Sequence, residues 1–394
     1  MANNFNYYSP TEVVFGKGAH RETGRYIRKY SGTKVLIVYG GSRVLKNGLM
    51  DEVTASLREQ NLAYELLGGV VPNPHLSKVH EGIDLGKRMQ ADFLLAVGGG
   101  SVIDTAKAIA YGLAEPEEEV WTLFEHTRTA KKCLPTASVL TIAAAGSETS
   151  MGAVITNEQT KEKRAYDDDL ARPKFAVMNP ELTLTLSDYQ TESGCVDILM
   201  HTMERYFTGG STMDITDSLA EGLMRTVMTN AKILHANPQD LEARSEIMWA
   251  GSVSHNGLTG CGTDGGDWAC HNMEHEIGGM FDVAHGAGLA AIWGSWARYV
   301  SHKAPLRFVK FAANVFGISP KGNETEVIEK GICAMEDFYR SIQMPTSMAE
   351  LGIHPTDKQI EEMAAGCERA TGGANGSILP LKKEDMIQIY KMAR

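Results

Sequence analysis

Apolar runs and helical stretches alternate along the first half of the chain. The run KVLIVYGGS at 34–42 is apolar and ends in glycines, which is typical of a strand buried on both faces of a parallel sheet. A helical stretch follows at 44–60, and AYELLGGVV at 63–71 is the next strand candidate. The order recurs in ADFLLAVGGGSVIDTAKAIAYG at 91–112, with a buried strand, a glycine turn and an apolar helix. Because strands that alternate with helices imply right-handed crossovers, the pattern predicts a Rossmann-like α/β domain with a parallel sheet.

The pattern changes beyond about Thr183. Before it, TASVLTIAAAGSE at 136–148 predicts a strand that ends in a glycine turn, and GAVIT and KFAVMNPELT predict two shorter strands. After it, the segments SDYQTESGCVDILMHTMERYF, MDITDSLAEGLMRTVMTNAKIL and DLEARSEIMWAGSVSHNGL predict successive helices. A length of 394 residues suits two domains of about 150 to 200 residues each. We therefore predict an α/β dinucleotide-binding domain over residues 1–182 and an all-helical domain over residues 183–394.

Composition narrows the classes of partner. With 38 basic and 49 acidic residues the net charge is −11, which argues against nucleic acid or an anionic membrane as the main partner. No uncharged apolar run approaches the roughly 18 residues of a membrane span, and the start MANNFNYYSP lacks the features of a signal peptide. The six cysteines are scattered without a CxxC pair, as expected of reduced thiols. We therefore expect a cytoplasmic protein that acts on a small molecule.

The glycine turn of the 91–112 segment has the form of an anion site. Gly98, Gly99, Gly100 and Ser101 lie between a buried strand and a helix start. Glycines let the backbone approach a ligand closely, and the first N–H groups of a helix favour an anion, so a pyrophosphate is the natural occupant. The alternative is a turn in which the glycines serve packing alone. Since the usual GxGxxG fingerprint with its later acid is not met, a nicotinamide nucleotide would bind through a variant arrangement.

A second glycine pair bears on the choice of nucleotide. Gly40, Gly41 and Ser42 follow the first strong strand, where an acidic residue would accept hydrogen bonds from an adenosine ribose and repel a 2′-phosphate. No acid is present there, and Arg43 and Lys46 add positive charge nearby. This segment therefore favours NADP(H) over NAD(H).

Two segments of the helical half are rich in metal-binding side chains. DWACHNMEHEIGGMFDVAHGAG at 267–288 contains His271, His275 and His285, and TESGCVDILMHTMERYF at 191–207 contains Asp197 and His201. Residues four apart share one face of a helix, which pairs Asp197 with His201 and His271 with His275. Carboxylate and imidazole ligands suit Fe(II) or Zn(II). The two segments therefore predict one metal site.

A competing interpretation rests on the HxxEH motif at residues 271–275. This motif is the signature of inverted zinc peptidases, in which the glutamate activates water. A peptidase would explain neither the glycine turn at 98–101 nor the pair Asp197 and His201. We therefore favour the dinucleotide and metal interpretation.

With these residues assembled, the chain resembles the iron-containing (group III) alcohol dehydrogenase family over nearly its full length. Within the family it is most similar to the NADPH-dependent butanol dehydrogenase and aldehyde reductase branch. The resemblance to the family rests on the motifs VVPNP (70–74), LLAVGGGSVIDTAKAI (94–109), TIAAAGSE (141–148), KFAVMNPELT (174–183), VDILMHTMERY (196–206) and HNMEHEIGGMFDVAHGAGLA (271–290). The similarity to this branch rests on YGGSRVLKNG (39–48).

The resemblance implies a dehydroquinate synthase-like fold and a set of site residues. The metal ligands that it implies are Asp197, His201, His271 and His285. His275 then lies near the metal without binding it, as a candidate proton relay. The cofactor contacts that it implies are Gly99, Gly100, Ser101 and Asp104 at the pyrophosphate, Thr141 and Ser147 beside the cofactor, and Lys163 near the nicotinamide ribose.

The resemblance also implies the reaction, which is hydride transfer between NADP(H) and a primary alcohol or aldehyde, assisted by Fe²⁺ or Zn²⁺. Aliphatic or aromatic aldehydes are the expected substrates because no charged anchor is evident, and Trp268 is either a pocket wall or a core residue. A homodimer is expected from the family. Two other functions stay open: a metal- and NAD-dependent lyase like dehydroquinate synthase, and a non-catalytic NADP(H)-binding protein.

Overall fold

The parallel sheet predicted from the alternating pattern is confirmed by the structure, a computed structural model that describes residues 3–394. The strands are β1 (Glu12–Phe15), β2 (Lys34–Tyr39), β3 (Ala63–Leu67), β4 (Phe93–Gly98), β5 (Thr136–Leu140), β6 (Gly152–Asn157), β7 (Glu162–Asp167) and β8 (Phe175–Met178). Six of them form a sheet in the order β1-β8-β5-β4-β2-β3, and every neighbouring pair is parallel. The central strand β4 is buried along its whole length, as its apolar run predicted.

An antiparallel hairpin of β6 and β7 stands apart from the sheet. The first strand was predicted from GAVIT, but EKRAYD at 162–167 was not recognised as its partner. Charged residues are depleted in strands, so this segment carries little strand signal of its own. Pairing with β6 forms it, and the register sets Thr156 opposite Lys163.

Helices alternate with the strands in the first half of the chain. They are α1 (Thr23–Lys29), α2 (Arg43–Lys46), α3 (Leu49–Glu59), α4 (Leu76–Met89), α5 (Gly100–Ala114) and α6 (Trp121–Phe124). The predicted single helix at 44–60 is two helices, and that prediction was wrong. Gly48 lies between them with a φ of 83°, a left-handed conformation that ends one helix and begins the next.

Helices fill the second half of the chain, as predicted. They are α7 (Asp188–Tyr206), α8 (Asp214–Ala236), α9 (Leu241–His255), α10 (Ala269–Phe281), α11 (His285–Val300), α12 (Pro305–Phe316), α13 (Glu324–Ser341), α14 (Asp357–Ala370) and α15 (Lys383–Ala393). A capping box of Ser187 and Gln190 starts α7. None of the helices between residues 3 and 394 is both long and apolar enough to span a bilayer.

The chain divides into two units, Ser9–Thr185 and Leu186–Arg394, and the described residues before Ser9 group with the second. Asn3 shows this grouping, because its backbone N–H donates to the carbonyl of Gly262 at 3.1 Å. From the sequence, the change from alternating strands and helices to successive helices was predicted after residue 182, close to this division. The predicted fold class, an α/β domain with a parallel sheet followed by an all-helical domain, is therefore confirmed.

Aromatic packing fixes the end of α7. The ring of Phe207 stacks on Phe308 with centroids 4.5 Å apart and lies 5.1 Å from Phe311 and 5.7 Å from Trp296. All four side chains are buried. Burial of such rings contributes about 1.5 to 3 kcal/mol each. The helix that carries Asp197 and His201 is therefore held firmly at its C-terminal end.

Candidate functional site

Helix α7 presents Asp197 and His201 on one buried face. The imidazole Nδ1 of His201 donates to the backbone carbonyl of Asp197 at 3.0 Å, and it lies 3.1 Å from Asp197 Oδ1. Since a carbonyl only accepts, the proton of this imidazole is on Nδ1. The lone pair of His201 is therefore on Nε2 and is available to a ligand.

Two further imidazoles converge on the same carboxylate. His271 lies in the first turn of α10, and His285 is the first residue of α11. The Nε2 atoms of both histidines lie 3.8 Å from Asp197 Oδ1. The structure thus brings together all four residues that the family resemblance implied as metal ligands.

Two buried glutamates orient these imidazoles. Glu204 Oε1 accepts from Nδ1 of His271 at 3.1 Å and from its backbone N–H at 3.0 Å. Glu274 Oε2 accepts in the same way from Nδ1 of His285. Histidines that bind metals commonly donate their other ring N–H to a carboxylate, which fixes the ring and raises its basicity. Neither glutamate was predicted from the sequence to orient a metal-binding histidine.

The charges of the cluster are strongly coupled. Burial raises the pKa of Asp197, but the imidazoles of His201, His271 and His285 outweigh it and hold that pKa well below its usual range. Burial lowers the pKa of His201 to about 4. Burial also acts to lower the pKa of His271, but the carboxylates of Asp197 and Glu204 raise it to about 9. The site is thus built around a carboxylate that stays ionised.

The unsatisfied atoms of the cluster fit a cation. Among residues 3–394, neither Asp197 Oδ1 nor His271 Nε2, both buried, has a hydrogen-bond partner. Leaving such atoms unpaired costs about 1 to 3 kcal/mol each. A metal ion bound by both would satisfy them, and one carboxylate with three imidazoles is a donor set for Fe(II) or Zn(II).

Three more side chains border the cluster. His275 is half-buried, and its ring centroid lies 5.7 Å from that of His285. Trp268, at a φ of 62°, precedes α10 and lies 5.3 Å from the ring of His271. His255, which no sequence motif indicated, packs edge-on against His201 with ring centroids 4.0 Å apart. No sequence signal distinguishes His255, because it lies 54 positions from His201 and outside both motifs.

The peptidase interpretation is not supported by the position of Glu274. In the HxxEH mechanism the glutamate must reach a water molecule. Here the Glu274 side chain is fully buried and accepts from His285 Nδ1. It therefore orients a neighbouring imidazole, as carboxylates beside metal-binding histidines commonly do.

The predicted anion turn joins β4 to α5. A Cβ atom on Gly98 would lie 2.5 Å from the Val102 side chain, and one on Gly99 would lie 3.0 Å from that of Ile142, so a side chain at either position would press against its neighbour. Within the described chain no side chain caps the start of α5. The N-terminal N–H groups of this 15-residue helix, with its dipole, therefore remain suited to an anion.

The two glycine segments flank the point where the strand order reverses. From β2 the chain goes to β3 on one side and then to β4 on the other side. Gly40 follows β2 and Gly99 follows β4, so both lie at the carboxyl edge of neighbouring strands. Open α/β sheets bind their ligands at such a switch point.

The remaining predicted cofactor residues are placed as follows. Thr141 N–H donates to the carbonyl of Gly98 at 3.0 Å, and a Cβ on Gly100 would lie 3.3 Å from Ser147 Oγ. Asp104 is buried, and its Oδ2 accepts from the N–H of Val154 at 3.1 Å. Ser101 is in the first turn of α5, Gly41 and Ser42 are exposed after β2, and Lys163 is buried on the hairpin strand β7. The structure thus gathers the turn, Thr141 and Ser147, and ties Asp104 to the backbone entering the hairpin.

The chain is similar to known proteins over nearly its whole length. Residues 10–180 match the family model described as iron-containing alcohol dehydrogenase, and residues 191–394 match the C-terminal model of the Fe-containing alcohol dehydrogenase family. The chain is 40% identical to NADH-dependent butanol dehydrogenase A of Clostridium acetobutylicum, over 98% of this chain and 99% of that protein. It is 33% identical to the NADPH-dependent aldehyde reductase YqhD of Escherichia coli, over 91% and 93% of the two chains. The crystal structure of NADH-dependent butanol dehydrogenase A from Thermotoga maritima superposes with a TM-score of 0.95 at 38% identity, covering 100% of this chain and 99% of that one.

Proposed function

Because the chain belongs to the iron-containing alcohol dehydrogenase family, whose activity is metal-dependent oxidoreduction of alcohols and aldehydes, we propose that it reduces primary aldehydes with NADPH. The observation that carries the proposal is the convergence of three imidazoles on the buried carboxylate of Asp197. Butanal is the test substrate, since butanol dehydrogenases and an aldehyde reductase are among the relatives.

The ligands of a divalent metal, Fe²⁺ or Zn²⁺, are proposed to be Asp197, His201, His271 and His285. When bound, the metal supplies Lewis-acid polarisation of the substrate oxygen and the dinucleotide supplies the hydride. The chain itself fixes the imidazoles through Glu204 and Glu274, and it buries the side chains of Asp197, His201 and His271. His275, beside His285, is proposed to pass a proton to the product oxygen.

A substitution of Glu274 tests whether this carboxylate, which is not itself a proposed ligand, strengthens metal binding by orienting His285. We expect Glu274→Gln to weaken Zn²⁺ binding by about tenfold to a hundredfold, because an amide holds the Nδ1 proton of His285 less strongly than a carboxylate. Equilibrium dialysis of the metal-free protein against Zn²⁺ measures this. Glu276→Gln, on the same helix, is the control and should bind Zn²⁺ as the unchanged protein does. Equal affinities in the two variants would contradict the role of Glu274.

NADPH is proposed as the preferred cofactor because of the end of strand β2. Gly40, Gly41 and Ser42 offer no carboxylate, and no acid occurs from Lys34 to Met50. The pyrophosphate is proposed to bind at Gly98, Gly99, Gly100 and Ser101, with Thr141 and Ser147 beside it and Lys163 near the nicotinamide ribose. Relatives named for NADH and for NADPH both match the chain, so the preference rests on the residues after β2.

Placing an acid at position 41 tests this preference. An added Cβ on Gly41 has no neighbour within 4 Å among the described residues, so a larger side chain fits without strain. We expect Gly41→Asp to raise the KM for NADPH about tenfold relative to that for NADH, because a carboxylate repels the 2′-phosphate by about 1.4 kcal/mol at an exposed site. Gly41→Asn is the neutral control and should change the ratio little. A stronger preference for NADPH in the aspartate variant would refute the assignment.

The reaction is tested against the alternatives by its stoichiometry. With butanal, the proposal predicts loss of one NADPH for each butanol formed. A lyase on the same fold would turn over without net consumption of the nucleotide, and a non-catalytic binding protein would bind NADPH without turnover.

A homodimer and a cytoplasmic location stay predictions. The six cysteines are free thiols in the structure, as the sequence led us to expect.

A further inference from the structure

A buried arginine beside the metal cluster has no part in the function described so far. Arg205 lies one helical turn after His201 on α7 and is 9% exposed. Its Nη1 donates to the backbone carbonyls of His201 at 3.0 Å and of Ser254 at 3.1 Å. Its Nη2 donates to Nδ1 of His255 at 3.3 Å. One guanidinium therefore joins the ligand-bearing helix α7 to the end of α9.

The same guanidinium also reaches the start of α10. Its Cζ atom lies 4.6 Å from the ring centroid of Trp268, the residue that precedes this helix. The indole N–H of Trp268 donates to the carbonyl of Gly265 at 2.7 Å, which fixes the ring from its other end. Trp268 holds a φ of 62°, a conformation that costs a non-glycine residue energy and persists only where the surroundings impose it. The ring in turn lies 5.3 Å from His271.

The turn before α10 packs closely enough on α7 for this contact to matter. A Cβ atom on Gly266 would lie 2.4 Å from the carbonyl oxygen of Glu204, and Asp267 N–H donates to that oxygen at 2.8 Å. Glu204 is also the residue that orients His271. The distance between His201 on α7 and His271 on α10 is therefore set by contacts that centre on Glu204, Arg205 and Trp268.

His255 belongs to this arrangement as a support and not as a metal ligand. Because its Nδ1 accepts from the guanidinium, a neutral His255 carries its proton on Nε2 and has no lone pair left for a metal. Its ring lies edge-on against His201 at 4.0 Å. Arg205 thus holds in place the ring that backs His201.

We propose that Arg205 is a positioning residue for the metal site: its guanidinium, stacked on Trp268, fixes His201 and His271 at the spacing that a metal ion needs. This inference rests on the proposed function. The planar fork is essential to it, because a lysine can neither donate to three acceptors in one plane nor stack on an indole in the same way.

The test measures Zn²⁺ affinity of the metal-free full-length protein by chelator competition, with the absorption spectrum of bound Co²⁺ as a report on ligand geometry. We expect Arg205→Lys and Trp268→Ala each to weaken Zn²⁺ binding by about tenfold to a hundredfold and to alter the Co²⁺ spectrum. The Zn²⁺ affinity of the double variant should be little lower than that of either single variant, because both substitutions break the same contact. Circular dichroism should show unchanged helix content.

Arg307→Lys is the matched control. Arg307 is buried, donates to the carbonyl of Tyr206 on α7 at 2.6 Å and lies 3.6 Å over the Tyr206 ring, but it pairs with Asp217 and not with the metal cluster. Arg307→Lys should lower the melting temperature of the protein and leave its Zn²⁺ affinity unchanged. Wild-type affinity in Arg205→Lys, or an equal loss in Arg307→Lys, would overturn the proposal.

Parallel NADPH assays on the unchanged protein keep the two proposals apart. If it binds Zn²⁺ and the Arg205 variants bind it more weakly, the positioning role stands even where no aldehyde is reduced. Failure of the unchanged protein to bind Zn²⁺ or Co²⁺ would overturn the positioning role and the metal site together.

Discussion

Asp197→Asn is expected to lower kcat/KM for aldehyde reduction by about a thousandfold or more, which corresponds to about 4 kcal/mol of transition-state stabilisation. The reason is the position of this carboxylate at the centre of the cluster, with nitrogens of His201, His271 and His285 at 3.1 to 3.8 Å from its Oδ1. An asparagine keeps the shape but removes the negative charge that faces these imidazoles. Bound metal, measured by elemental analysis, should fall together with the rate.

A second aspartate on the same helix provides the control for Asp197. Asp188 is exposed in the first turn of α7. Asp188→Asn removes one charge from that helix without touching the cluster, so metal content and rate should stay close to those of the unchanged protein. Full activity with bound metal in Asp197→Asn would show that the cluster is not the metal site.

His275→Ala is expected to lower kcat by about a hundredfold or more, the usual contribution of a positioned proton donor. His275 is half-buried with its ring 5.7 Å from that of His285, so it lies beside the cluster and not at its centre. Metal content should therefore stay unchanged, in contrast to Asp197→Asn. The number of protons in flight, obtained from rates in mixtures of H₂O and D₂O, should change in the variant. An unchanged rate and proton inventory would remove His275 from the mechanism.

The sequence predicted the features whose cause is local. The buried strands β2 and β4 are continuous apolar runs, and their burial on both faces of the sheet follows from that composition. The pairing of Asp197 with His201 on one face follows from helical periodicity. The convergence of His271 and His285 on Asp197 needed the family resemblance, since spacing alone left His275 as an equal candidate.

The features that the sequence missed depend on contacts between distant segments. Glu204 meets His271 across 67 positions, and Arg205 meets His255 across 50. Nothing in the local pattern of α7 distinguishes Glu204 and Arg205 from surface charges. Both are buried where α9, the turn before α10 and His271 meet α7, and those contacts select the nitrogen that each one meets.

The prediction from sequence lacked strand β7 and the break between helices at Gly48, for different reasons. The charged segment EKRAYD forms a strand only because β6 lies beside it. Gly48 was within a segment of helical periodicity, and that periodicity continues on both sides of it. Its left-handed φ of 83° is a backbone property that the apolar pattern does not record.

We expect aldehyde reduction to depend on a metal ion held by Asp197 and the three histidines His201, His271 and His285. The most direct test follows NADPH oxidation with butanal in the purified protein, after removal of metal by a chelator, and after addition of Fe²⁺ or Zn²⁺. Activity should be lost on chelation and should return in proportion to bound metal, reaching its full value at one ion per chain. Activity that persists in protein shown to be free of metal would contradict it.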